Sequence, residues 1–170
     1  ALLTFCERRW PDIQEALIGL LFVVAAAAGI LLLAGNPHGG EHLRDLLAGQ
    51  ILWVGWKQIA VVATLSVAVL GVRAWLARRG AGEGFAFYAL FSVAITASVQ
   101  LVGVLLVFAS LIAPAVATRS LPGRPRISFA FLVGGLAYAA GLGISLTADL
   151  PAGAAVVCAL GVAAIGSLFL

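Results

Sequence analysis

A run of 34 residues without a charged side chain, residues 85–118, most restricts what this chain can fold into. A membrane-spanning helix needs about 20 predominantly apolar residues. The run is therefore too long for one crossing and too short for two. We expect one crossing and a shorter, broken helix, with irregular backbone at Gly103 and Pro114. Such backbone is tolerated at membrane depth only where protein or a water-filled cavity covers it.

Other apolar runs in the chain also have the length of a membrane crossing. Only 10% of the residues are charged and 63% are hydrophobic, whereas soluble domains carry about 25% charged residues. We therefore predict an all-α fold, a polytopic membrane helical bundle with a broken helix. The predicted spans are residues 16–35, 51–72, 85–108, 127–148 and 152–170.

We expect residues 1–170 to form a single transmembrane domain. The chain begins with Ala1 and contains no Met, so we expect a fragment that lacks N-terminal helices. The net charge of +3 lies in short loops and does not indicate a nucleic-acid partner. Gly135, Ala139 and Gly143 recur every four residues, which predicts a helix face for close packing in lipid.

Two basic segments leave the orientation in the membrane open. Residues 73–84 and residues 119–126 are predicted loops, and each contains three arginines. One crossing separates the two loops, so they lie on opposite sides of the membrane. Because positive charge favours the cytoplasmic side, the count of arginines alone does not decide between them.

One segment suggests a family. Residues 102–121, VGVLLVFASLIAPAVATRSL, resemble the signature of the membrane subunits of ABC importers for divalent metals such as zinc, manganese and iron. The matching positions are Val102, Gly103, Leu105, Leu106, Pro114, Ala115, Ala117, Thr118 and Arg119. Residues 37–54 and 149–157 resemble two further segments of that family, in the expected order.

The resemblance implies a permease subunit that imports a divalent metal ion, zinc or manganese, across the bacterial plasma (inner) membrane. Its partners would be a cytosolic ATP-binding subunit, an extracytoplasmic metal-binding protein and a second copy of the permease. The metal is cargo, so no tightly bound cofactor is expected. The phosphate-binding pattern G-x-x-x-x-G-K-[ST] is absent from the sequence, so ATP would be hydrolysed by the partner and the chain itself is not an enzyme.

The resemblance also implies a short cytoplasmic coupling helix that rests on the ATP-binding subunit. Residues 120–126 would then be cytoplasmic, whereas residues 73–84 and Asp149 would be external. The implied coupling residues are Ser110, Leu111, Ile112, Ala113, Pro114, Ala115, Ala117, Thr118 and Arg119.

Two polar residues are candidates for the ion path. Gln100 is the most deeply placed polar residue of the long uncharged run, and an amide in lipid must find a partner. It would therefore face either the path or a neighbouring helix. Asp149 could attract cations at an external mouth, or it could cap the helix that follows Pro151.

His38, Glu41 and His42 match the H-x-x-E-H pattern of inverted zinc proteases. That pattern requires a regular helix and a third ligand, but Pro37 and two glycines disfavour the helix. A solvated interfacial loop is the default interpretation. A transient metal contact and an intramembrane metalloprotease are the alternatives.

Two further alternatives concern transport. A permease for vitamin B12 or another metal chelate has a related architecture, but its corresponding turn carries a Pro-His pair where this chain has Pro114 and Ala115. A secondary transporter would work without any ATP-binding subunit.

Overall fold

The computed structural model describes residues 13–34, 55–79, 83–121, 123 and 125–168. These residues form six helices and no strand, which confirms the predicted all-α fold. The helices are α1 (Gln14–Ala34), α2 (Trp56–Arg79), α3 (Glu83–Val102), α4 (Val104–Ala117), α5 (Pro125–Ala148) and α6 (Ala152–Ser167).

Four of the six helices are long and apolar enough to cross a membrane: α1, α2, α3 and α5. The apolar helices α4 and α6 are shorter, with 14 and 16 residues. At about 1.5 Å per residue they extend about 21 and 24 Å, less than the roughly 30 Å of a hydrocarbon core. The arrangement is that of a multi-pass membrane bundle.

The helix α6 forms the centre of the bundle. It packs against α1, α4 and α5, and nine of its 16 residues are buried. Small side chains permit this close packing: Gly161 lies against Val24 of α1, and Gly141 of α5 lies against Val156 of α6. The buried cluster continues through Leu20 of α1 and Leu106 of α4.

The helices α2 and α3 pack against each other, and their spanning segments contain no buried residue. The helix α2 continues to Arg79, so Arg73 and Arg78 are helical and the prediction of a loop starting at residue 73 is wrong. The reason is that Ala, Leu, Trp and Arg tolerate helical geometry well. The first helix-breaking residue after position 71 is Gly80.

The long uncharged run is interrupted at Gly103. This glycine has φ 87° and separates α3 from α4, a backbone conformation that residues with a Cβ rarely adopt. Irregular backbone was also expected at Pro114, but Pro114 lies inside α4 and the helix continues through it to Ala117.

Candidate functional site

The predicted coupling segment, residues 110–119, forms the C-terminal half of α4 and the turn that follows. One side of this segment lies in the core of the bundle: Ala113 is 2% exposed and Val116 is 3% exposed. The other side is open, with Leu111 45% exposed and Ala115 also exposed. Ile112 and Ala117 are half-buried. The segment is therefore anchored on one face and accessible on the other.

Pro114 removes one backbone donor from the middle of α4, because proline has no amide hydrogen. The carbonyl of Ser110, four residues earlier, thus lacks its ordinary helical partner. The hydroxyl of Ser110 donates to the carbonyl of Leu106 at 2.5 Å. It also lies 2.7 Å from the hydroxyl of Tyr138 on α5, which can donate to it. This contact connects the two helices beside the proline.

Thr118 closes the C-terminal end of α4. Its amide donates to the carbonyl of Pro114 at 3.1 Å, and its hydroxyl donates to the same carbonyl at 2.8 Å. Thr118 is 1% exposed. The amide of Arg119 then donates to the carbonyl of Val116, and the amide of Leu121 to that of Thr118. These hydrogen bonds fix the turn after α4. Arg119 lies in this turn and is half-buried.

A cleft of about 460 Å³ lies beside Pro114, between α4 and α5. Apart from the paired hydroxyls of Ser110 and Tyr138, its lining is apolar. The lining residues are Ser110, Leu111, Pro114, Ala130, Phe131, Gly134, Gly135, Tyr138 and Leu160. The cleft contains no acidic or imidazole side chain, so its chemistry suits an apolar contact rather than a metal ion.

Asp149 lies in the turn between α5 and α6 and is exposed. Its φ of 52° places it in the left-handed region at the end of α5. The amide of Leu150 donates to the carbonyl of Ser145 at 3.1 Å, and the hydroxyl of Ser145 donates to the carbonyl of Leu150 at 2.7 Å. This is a Schellman-type helix end. The idea that Asp149 caps α6 is wrong, because the N-cap residue is Pro151 and no side chain caps that helix.

Gln100 is exposed on α3, three residues before Gly103. Asp149 lies in the turn between α5 and α6, and no hydrogen bond between described residues joins it to Gln100. His38, Glu41 and His42 lie outside the described residues. Among the residues that are described, no three His, Cys, Asp or Glu side chains are grouped as metal ligands would be.

Sequence reasoning did not single out Tyr138, although its hydroxyl is the cross-helix partner of Ser110. A signal was present, because a tyrosine in the middle of a membrane helix must find a partner for its hydroxyl. Ser145 was missed in the same way. It is 3% exposed and holds the turn after α5.

The comparison with known protein families finds a match. The family described as the ABC 3 transport family matches residues 84–170, just over half of the chain. The match covers almost all of α3 and the whole of α4, α5 and α6. No curated protein and no solved structure matches the chain. A permease of this family is a transmembrane subunit without an ATPase site of its own and works with an ATP-binding subunit. The chain therefore belongs to the ABC 3 transport family and is a membrane-embedded permease of an ABC transporter.

Proposed function

We propose that this permease imports a divalent metal ion of the zinc or manganese class across the bacterial plasma membrane. Two copies would form the pore, and a metal-binding protein on the outer side would deliver the ion. The resemblance of residues 102–121 to metal importers supports this choice of cargo. Asp149 is exposed in a turn between helices, where a carboxylate can attract cations electrostatically. We propose it for the external mouth.

The main support for this function is that residues 110–119 are buried on one side and exposed on the other. Ala113, Val116 and Thr118 fix the segment in the bundle, whereas Leu111 and Ala115 are accessible to another protein. A force applied to the open face would pass directly to α6 and α5, because α4 packs against both. Packed helices respond to such a force by shifting as units. We propose that this segment is the cytoplasmic coupling helix on which the ATP-binding subunit acts.

The described part of the chain shows no cluster of strong metal ligands, and the proposal does not require one. A transported ion must enter and leave its sites readily, so weak and successive contacts are sufficient. ATP hydrolysis by the partner would supply the energy. This chain would supply the path and the mechanical connection.

Metal uptake by cells tests the proposed cargo. Cells without their own high-affinity zinc and manganese importers would receive the permease, its ATP-binding subunit and its metal-binding protein. We expect these cells to accumulate radioactive zinc or manganese at least about tenfold faster than cells in which the ATP-binding subunit carries an inactivated phosphate-binding lysine. Accumulation of a vitamin B12 or ferric chelate instead of the free metal would contradict the proposed cargo. Metal uptake that persists with the inactive ATP-binding subunit would contradict ATP-driven import.

A further inference from the structure

One exposed face of α3 carries a row of polar side chains. Tyr88, Ser92, Thr96 and Gln100 recur every four residues, and all four are exposed, Tyr88 to 68%. Residues four apart lie on the same face of a helix, about 6 Å apart along its axis. We call these four residues the polar stripe. The side of α3 that is partly covered by neighbouring helices is mostly alanine, leucine and isoleucine.

The exposed surface of α3 also carries Phe85, Phe87, Phe91 and Val93, so the polar stripe is a continuous polar row within an otherwise apolar surface. A helix in a bilayer turns its polar groups toward protein or water, because hydrocarbon offers them no hydrogen bond. The polar stripe lies instead on the side that no described helix covers. If lipid covered it, the most polar surface of α3 would face the least polar solvent.

Two members of the polar stripe have partners for their protons but not for all their oxygen lone pairs. The hydroxyl of Ser92 donates to the carbonyl of Tyr88 at 2.8 Å, and that of Thr96 donates to the carbonyl of Ser92 at 2.8 Å. A hydroxyl has two acceptor lone pairs in addition to its donor. Oxygen acceptors therefore remain along the exposed side of the helix.

Gln100 has more hydrogen-bonding groups without a partner than Ser92 or Thr96. Its side chain makes no hydrogen bond with any described residue, although an amide offers two donor hydrogens and an oxygen acceptor. Transfer of an amide without partners from water into a hydrocarbon-like medium is strongly unfavourable, because the lost hydrogen bonds to water are not replaced. Water in contact with the polar stripe removes this cost.

The backbone next to Gln100 adds further oxygen atoms. The amide of Gly103 donates to the carbonyl of Val99 at 2.9 Å, and the next bond of this kind runs from Val107 to the carbonyl of Gly103. The interruption at Gly103 thus leaves the last carbonyls of α3 without the helical donors that a continuous helix would supply. Neutral hydroxyl, amide and carbonyl oxygens are together found at one end of the polar stripe.

We infer that the polar stripe lines a water-filled path and that its occupant is a hydrated divalent cation. Neutral oxygens can exchange hydrogen bonds with the water around such an ion without holding it firmly, which permits movement from one position to the next. The identity of the ion rests on the proposed function. The water contact rests only on the exposure and hydrogen bonding of α3.

Cysteine accessibility tests the water contact on the full-length permease in lipid vesicles. In a background with Cys6→Ser and Cys158→Ala, single cysteines would be introduced as Ser92→Cys, Thr96→Cys and Gln100→Cys. The matched controls are Phe91→Cys on another exposed side of α3 and Leu136→Cys on the exposed side of α5. Each variant would be treated from both sides with a charged, membrane-impermeant thiol reagent.

We expect the three stripe positions to react at least about tenfold faster than both controls, because the reagent attacks a thiolate, which forms in water and not in hydrocarbon. Equal rates at stripe and control positions would overturn the inference. Manganese ions in the buffer, which prefer oxygen ligands to thiolates, should slow the reaction at Thr96→Cys and Gln100→Cys. Fast reaction without such protection would overturn the cation as occupant. Metal uptake is measured in a separate experiment. If the stripe cysteines react fast but the cells take up no metal, the proposed cargo is contradicted and the water-filled path is not.

Discussion

Ala115→Trp is expected to abolish binding of the ATP-binding subunit while the permease remains folded. Ala115 is exposed on α4 within the proposed coupling segment, between the buried residues Ala113 and Val116. An indole at this position would project from the accessible face and separate two closely packed protein surfaces. Co-purification of the ATP-binding subunit should fall at least about tenfold, equivalent to about 1.4 kcal/mol of binding free energy.

The matched control is Ala140→Trp. Ala140 is also an exposed helical alanine, but it lies on α5 outside the proposed coupling segment. This variant should retain the ATP-binding subunit. Both variants should unfold within a few degrees of the wild type, because exposed substitutions usually change stability by less than about 0.5 kcal/mol. Intact co-purification with Ala115→Trp would contradict the assignment of α4 as the coupling helix.

Gly141→Ala is expected to destabilise the bundle strongly although it adds only one methyl group. A Cβ at position 141 would lie 2.5 Å from the Cα of Val156 and 2.9 Å from its amide nitrogen. Neither contact can be relieved by rotating a side chain, so α5 and α6 must move apart. Overpacking of this kind costs about 1–3 kcal/mol. The thermal unfolding temperature of the purified protein should fall measurably, and transport should fall with it.

Gly143→Ala serves as the control for the same chemical change on the same helix. Gly143 is exposed, and a Cβ added there would meet no described atom within 4 Å. Because alanine is the better helix former by up to about 1 kcal/mol, this variant should be as stable as the wild type or slightly more stable. A larger loss of stability in Gly143→Ala than in Gly141→Ala would contradict the described packing of α5 on α6.

The distribution of charge in the sequence predicted two of the helices closely. Residues 127–148 were predicted as a span and correspond to α5, Pro125–Ala148. Residues 16–35 correspond to α1, Gln14–Ala34. Both runs are bounded by proline or by charged residues, so the cost of placing charge in lipid sets their ends. The predicted span 51–72 differs more, because α2 begins at Trp56 and continues to Arg79.

Tertiary packing was harder to predict. Gly135, Ala139 and Gly143 have the spacing of a close-packed face, yet all three are exposed. The close contact of α5 with α6 is made by Gly141. A period of four residues identifies a face of small residues but does not identify the neighbouring helix. Only the position of α6 determines which face of α5 is used.

The place at which the long uncharged run is interrupted was also only partly predictable from the sequence. Both Gly103 and Pro114 disfavour regular helix, but only Gly103 adopts a left-handed φ and ends a helix. Pro114 remains inside α4. Beside it, the hydroxyl of Ser110 bonds to Leu106 and Tyr138, and the hydroxyl of Thr118 bonds to the carbonyl of Pro114. Leu106 and Thr118 belong to α4 and its end, whereas Tyr138 belongs to α5. The contact with Tyr138 could not be predicted without knowing how α4 and α5 pack.

The most direct test of the central claim is a photo-crosslink from position 115. A photoreactive phenylalanine analogue would replace Ala115 in the full-length permease, co-expressed with its ATP-binding subunit in native membranes. The same analogue at position 140 provides the comparison, since both alanines are exposed. If α4 is the coupling helix, illumination should join position 115 to the ATP-binding subunit and position 140 should give no such product. The absence of a product at 115, or equal products at both positions, would contradict the claim.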